Sequence, residues 1–279
     1  MGLNRDLAGK KYPTKTFEVT ADRIEAYARA TNDDNERYFG GDDSVASPVF
    51  PIVSAFESFM EAAMDQELQA DLLRLVHGSE EHLLHRPLRP GDSLTVTPVL
   101  ESIESKETGE TFTVAAVQTN PSGDLVAETR GTMFIRGSGS RRAAAAEARA
   151  TKDAGEARTI VYEETTKVDE DQSQRYAVAS GDHNPIHLDE NTAKMAGLPG
   201  IILHGMCTMA IATKAAVNGL AGGDPTKVKR VAVRFSRPVL LGQELTTKLW
   251  ATGDDTYGFE TYNSKGAAVI KDGVVELRP

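Results

Sequence analysis

Apolar positions along the chain fall into two spacings that recur in a fixed order. Helical spacing predicts a short amphipathic helix over residues 21–30 and a longer, more continuously apolar one over residues 52–68. The same pair returns over residues 170–179 and 204–220, again separated by a polar, irregular stretch. Period-2 segments follow each long helix: Val231, Val233 and Phe235 share one face, while Arg234 and Ser236 point to the other. Asn120-Pro121-Ser122-Gly123, Asn263-Ser264-Lys265-Gly266 and Lys271-Asp272-Gly273 read as turns between strands. The expected fold class is α+β, with each half a long central helix wrapped by an antiparallel sheet.

The halves also share residues. Tyr27-Ala28, Ala30-Thr31, Asp33 and Asn35 match Tyr176-Ala177, Ala179-Ser180, Asp182 and Asn184, each 149 positions further on. Arg86-Pro87-Leu88 and Gly91, Leu94 and Thr95 match Arg237-Pro238-Val239 and Gly242, Leu245 and Thr246 at an offset of 151. Single matches of this kind arise by chance, but collinear matches in the same order indicate duplication. Between the copies, residues 137–158 are rich in Gly, Ala and charge and have little to bury, which predicts a solvated linker with a short helix in AAAAEARA. The expected organisation is therefore an N-terminal half over 1–136, this linker, and a C-terminal half over 159–279.

Charge and composition narrow the function classes. A formal net charge of -10 argues against a general nucleic-acid binder, because phosphate neutralisation needs a basic surface. No apolar run reaches the roughly 18–20 residues of a membrane span, and the densest, residues 201–212, is interrupted by His204 and Gly205. The N-terminus has no secretory pattern, Asp6 stands where myristoylation wants Ser or Thr, and Glu-Leu-Arg-Pro at the end is no organelle address. The single cysteine, Cys207, forms no internal disulfide or cysteine cluster, and a reducing cytoplasm is the simple expectation.

The segment richest in chemistry is Ser180-Gly181-Asp182-His183-Asn184-Pro185-Ile186-His187, with Leu203-His204-Gly205-Met206 downstream. Gly181 and Pro185 keep the preceding helix from continuing, leaving a loop that displays Asp182, Asn184 and His187. Asn184 can tie the loop to its own backbone. A carboxylate and an imidazole held this way can clamp one water and move protons near neutral pH. On spacing alone, ordinary turn chemistry with a histidine bonded to a backbone carbonyl is the favoured reading.

SGDHNPIHLDENTA followed by LHGM closely resembles the hydratase-2 motif of MaoC-like (3R)-specific enoyl-CoA hydratases, and VRFSRPVLLGQEL is similar to the family's segment after the central helix. The paired halves resemble the double-hotdog members. The resemblance implies a hydro-lyase that interconverts (3R)-3-hydroxyacyl and trans-2-enoyl thioesters with Asp182 and His187 as the catalytic pair. It implies no redox or metal cofactor; CoA or phosphopantetheine is part of the substrate. In the N-terminal half Asp33 and Asn35 align with Asp182 and Asn184, but Tyr38 stands at the position of His187 and Glu36 at that of Pro185. A phenol with a pKa of about 10 cannot replace imidazole as a proton shuttle, so one active site per chain is expected. The first half then becomes a binding wall.

Gly205 opens the second long helix, where unpaired N–H groups and the positive dipole end can stabilise negative charge on a thioester oxygen. The resemblance also makes Gly205 a substrate contact; close helix-to-sheet packing is the competing role. Phe235, the His77-Gly78 pair and Lys106 match contact positions of relatives; alone, they read as a core phenylalanine, a surface histidine and a solvated lysine. Lys227, Lys229, Arg230, Arg234 and Arg237 gather positive charge that suits either a solvated strand edge or the phosphates of an acyl-CoA. An acidic acyl-carrier protein would use the same patch. His82, His85, His183 and His204 read as structural or supporting, and without Cys partners or HExxH spacing a metal site is not expected. A hotdog thioesterase and a non-catalytic acyl-thioester-binding subunit are the rival functions. A self-sufficient pseudo-dimer and a further homodimer are both open.

Overall fold

A computed structural model describes residues 2–72, 74–137 and 158–279. Almost all of the anticipated linker, with its short helix, lies outside the described residues. The N-terminal half runs β1 (Lys15–Glu18), α1 (Ala21–Ala30), α2 (Pro51–Ala63), β2 (Leu75–Leu84), β3 (Ser93–Lys106), β4 (Gly109–Thr119) and β5 (Leu125–Arg136). The C-terminal half repeats the order with β6 (Tyr162–Lys167), α3 (Gln172–Ser180), a short α4 (Glu190–Met195), α5 (Gly205–Leu220), β7 (Val228–Phe235), β8 (Glu244–Gly253), β9 (Thr256–Asn263) and β10 (Ala268–Leu277).

All ten strands join one antiparallel sheet in the order β1-β3-β4-β5-β2-β7-β10-β9-β8-β6. The order reads the same from both edges when each strand is replaced by its counterpart, as duplication requires. The halves meet at β2 and β7, where Ser79 pairs with Arg234 and Leu83 with Arg230. The long helices α2 and α5 lie against the sheet, each on its own half. Their inner faces bury Ile52, Phe59 and Ala62, and Met209, Ile211 and Ala216, against Leu94, Val114, Leu245 and Phe259. At roughly 25 cal/mol per Å2 of apolar surface, such burial is the main stabilising term.

A second clasp is polar. Helices α1 and α3 pack together, with Tyr27 and Tyr176 at a ring separation of 5.8 Å. Arg175 donates to the carbonyl of Arg29 and to Asn32, Gln172 donates to the carbonyl of Ala30, and Asn35 donates to the carbonyl of Gly223. These bonds tie the two copies together at a second place besides the β2–β7 seam.

Three expectations differ from the fold by more than a single residue at an element's end. The helix predicted over 52–68 stops at Ala63. Asp65 accepts from the Glu67 N–H and receives Lys10 and Tyr12, so the chain makes a separate 3-10 turn instead. The helix predicted from 170 begins at Gln172. Lys271-Asp272-Gly273 is not a turn between strands but a bulge within β10, with Asp272 at φ 54°. The other two predicted turns join β4 to β5 and β9 to β10.

Candidate active site

Helix α3 ends where Gly181 adopts φ +80°, a left-handed conformation that costs glycine little. The following residues fold into a chain of short side-chain bonds. Ser180 Oγ accepts from the Asp182 N–H, Asp182 Oδ1 from that of Asn184, and Asn184 Oδ1 from that of Ile186. One 3-10 turn, Pro185–His187, then brings His187 inward, where it is buried. Asn184 thus supports the loop, as its residue type predicts.

His187 Nδ1 lies 2.8 Å from the carbonyl oxygen of Ile202. A carbonyl only accepts, so Nδ1 carries the hydrogen and Nε2 of the neutral ring keeps its lone pair. Burial pushes this imidazole below its ordinary 6.5, while the Asp182 carboxylate works in the opposite direction. His204 follows the same logic: its Nε2 donates to the backbone oxygen of Asp182 at 3.0 Å. Its ring stacks on His187 at 3.9 Å and lies 4.8 Å from Tyr176. Burial, with His187 close by, holds His204 neutral, its pKa pushed down to about 2. His204 therefore touches both residues of the expected pair, in keeping with the supporting reading of this histidine.

Side-chain atoms of Asp182, His187 and His204 come within 4.8 Å of one another. That spacing suits one water bridging two hydrogen bonds of ordinary length. It also invites the question of a metal. The two imidazole planes are only 29° apart and stacked, so their in-plane lone pairs run side by side rather than converging on one ion. The donor set fits proton handling better than chelation.

Gly205 is the first residue of α5, partly exposed, with His204 at the cap. The first N–H groups of the helix have no acceptor within it. A Cβ on Gly205 would meet the Phe235 ring at 3.4 Å, an ordinary contact, so close packing alone does not demand glycine here. Phe235 in turn lies 4.9 Å, ring to ring, from His77 of β2. The structure therefore brings Asp182, His187, Gly205, Phe235, His77 and Gly78 along one path that crosses from the C-terminal half to the N-terminal half. Lys106 is elsewhere: it ends β3 at the hairpin tip and pairs with Glu104.

The cationic run divides. Arg230 is paired with Glu81 and Glu276, and Arg234 with Asp272. Lys227 and Lys229 are exposed, and Arg237, also exposed, reaches the carbonyl of Ala268 at 3.4 Å. A recess of about 430 Å3 at the β2–β7 seam is lined by Arg130, Arg234, Glu101 and Asp272, side chains that already neutralise one another, so it is not the site.

Comparison with known proteins identifies the family. The MaoC like domain profile matches residues 152–272, and the FAS1-like, dehydratase domain region profile matches residues 6–129. Over 215 residues the chain is 35% identical to 3-hydroxyacyl-thioester dehydratase Y of Mycobacterium tuberculosis, covering 72% of each chain. The chain belongs to the MaoC-like dehydratase family. This MaoC-like chain is also 31% identical to the peroxisomal enoyl-CoA hydratase 2 of Arabidopsis thaliana, over 83% of its own length and 77% of the relative's. A MaoC-like dehydratase from Phytophthora capsici superposes with a TM-score of 0.84, covering 99% of this chain and 98% of the other. At 24% identity that likeness shows the fold, a double hotdog. Among the described residues, no helix is long and apolar enough to cross a membrane.

Proposed function

We propose that this MaoC-like chain is a reversible hydro-lyase that interconverts trans-2-enoyl and (3R)-3-hydroxyacyl thioesters. One observation carries the reading: Asp182 and His187 stand one water apart, with His187 Nδ1 committed to Ile202, at the opening turn of α5. In hydration, His187 Nε2 and the Asp182 carboxylate hold the water. Nε2 takes its proton as the oxygen attacks C3, and the pair returns a proton to C2. The enolate charge that builds on the thioester oxygen falls to the Gly205 N–H and the positive end of α5. Phe235, His77 and Gly78 line the substrate path, and Asn184 keeps the loop in shape.

The thioester arrives on CoA or on the phosphopantetheine of a carrier protein, and Arg237 is the cation best placed for its phosphates, since Arg230 and Arg234 are neutralised. Lys106 could act only on the distal part of such a carrier. A cytoplasmic location is supported by the lone, buried thiol of Cys207, and a homodimer by the precedent of the duplicated halves themselves.

The test is loss of the conjugated thioester absorbance when purified protein meets trans-2-enoyl-CoA or the enoyl carrier-protein thioester. The expected product is the (3R)-3-hydroxyacyl thioester with its carrier still attached, and with Asp182→Asn it forms about 10^3 times more slowly. Release of free thiol would replace the reading with a thioesterase. Binding without turnover on either carrier would make the chain an acyl-thioester-binding subunit.

A further inference from the structure

Glu80 lies wholly buried on β2, two residues beyond Gly78. A buried carboxylate without a partner is strongly disfavoured. Its Oε2 is 2.9 Å from His77 Nε2, and its Oε1 approaches the buried His82 at 3.4 Å. His82 is held neutral by burial, its pKa pushed down to about 3; burial also pushes the Glu80 carboxyl up, and the hydrogen bond from His77, the shorter of the two contacts, works against that.

That contact is not available to a regular strand. Residues three apart on a strand face opposite sides. Here the register slips: His77 pairs with Met133 and Ser79 with Thr132, so Gly78 is the extra residue of a β-bulge. The bulge turns His77 to the side of Glu80, His82 and Leu84. At Gly78 a Cβ would press on the Thr132 carbonyl at 3.1 Å, and at Gly131 it would strike Phe59 and Glu80. Two glycines therefore make room for the His77–Glu80 hydrogen bond, and His77 rests 4.9 Å from Phe235, which covers Gly205.

We propose that Glu80 is a positioning residue of the site: by accepting from Nε2–H of His77 across the Gly78 bulge, it fixes that ring beside Phe235 and leaves the Nδ1 lone pair to accept a hydrogen bond from an amide N–H of the bound thioester's pantetheine arm. The proposal rests on the hydro-lyase reading, and it gives the N-terminal half a polar handle on substrate as well as a wall.

The experiment is a double-mutant cycle of Glu80→Leu and His77→Phe, with Glu80→Gln as the conservative variant. Leucine keeps the volume and removes a buried charge, so folding is retained, which melting temperature checks. The expected result is a KM raised about tenfold by either change with kcat within about twofold, and no further rise in the double variant. Glu80→Gln, whose amide oxygen still accepts from Nε2, should recover most of the loss. An unchanged KM in Glu80→Leu, additive effects in the double variant, or a fall in kcat that tracks melting temperature overturns the proposal. If wild type shows no turnover, the hydro-lyase reading fails by itself. The same cycle read as Kd for 3-hydroxyacyl-CoA by calorimetry then tests Glu80, and a wild type with no affinity for that thioester overturns it.

Discussion

In the C-terminal half, the chain leaving α3 delivers Asp182 and then His187 beneath the first turn of α5; in the N-terminal half, the chain leaving α1 delivers Asp33 and then Tyr38 beneath the first turn of α2. The scaffolds agree in detail. Asn35 Oδ1 accepts from the Arg37 N–H as Asn184 Oδ1 accepts from Ile186, and Asp33 accepts from Asn35 as Asp182 does from Asn184. The chemistry differs at three points. Tyr38 replaces His187, Phe50 occupies the helix cap held by His204, and Pro51 occupies the first helical position held by Gly205. Proline has no N–H to offer an oxyanion. Asp33 and Tyr38 are also almost fully buried, whereas Asp182 and Gly205 are partly exposed. One loop design thus serves as an open site in one copy and as sealed core in the other.

The largest expected effect comes from copying the N-terminal residue into the C-terminal site. His187→Tyr removes the lone pair at Nε2, and Asp182→Asn removes the carboxylate. Each should lower kcat by about 10^3 with melting temperature little changed, and the double variant should be no worse than the single ones. Equal activity in His187→Tyr would show that the two loops are not distinguished by proton transfer. Gly205→Pro is the next largest. Proline is tolerated at the first helical position, as Pro51 demonstrates, and His204 at ψ 136° already has the extended backbone that precedes proline. Losing one N–H donor should lower kcat by about 10^2 to 10^3 while the helix content in circular dichroism stays the same.

The pH profile sharpens the same contrast. The active His187 is neutral, and burial lowers its pKa, so activity should persist as pH falls through the ordinary histidine value of 6.5 and decline only below it. Asp182 raises that pKa, so the residual activity of Asp182→Asn should lose its acid limb at still lower pH than wild type. An acid limb above 6.5 in kcat would mean that another group is titrating.

Periodicity and repetition made the architecture legible. Helix 21–30 was bounded correctly, and the start of α5 was missed by one residue, because Pro, Gly and polar residues flank long apolar runs. The Asp182–His187 loop was legible because Gly181 and Pro185 force the chain to turn there. What stayed hidden depends on contacts between distant residues. Nothing local to 64–68 reveals that Lys10 and Tyr12 reach Asp65 and help end the helix. Lys271-Asp272-Gly273 has turn chemistry, but β7 and β9 flank it on both sides, so the chain bulges rather than reverses. His204 reads as supporting from its position, but what it supports appears only when its ring is stacked on His187 and its Nε2 bonds the Asp182 carbonyl. Glu80 faces His77 only because a bulge breaks the period that a pattern reading assumes.

The smallest effect expected is also the one with opposite sign in the two halves. Burial raises the Asp33 pKa from 3.8 to about 6. Below pH 3.8 the carboxyl is protonated whether the chain is folded or not, and Asp33 costs nothing. As pH rises towards 6 the unfolded chain ionises first, so stability falls, and above 6 the full cost is present, on the order of 2–3 kcal/mol. Asp33→Asn removes that titration while its side-chain oxygen can still accept from the Asn35 N–H. The variant should therefore melt a few degrees higher than wild type at pH 7–8, with no gain near pH 4. Its hydratase rate should be unchanged, although the identical change at Asp182 should lower kcat by about 10^3. A loss of activity in Asp33→Asn would mean that the sealed loop still communicates with the open one through the α1–α3 clasp, and the division of labour between the copies would have to be redrawn.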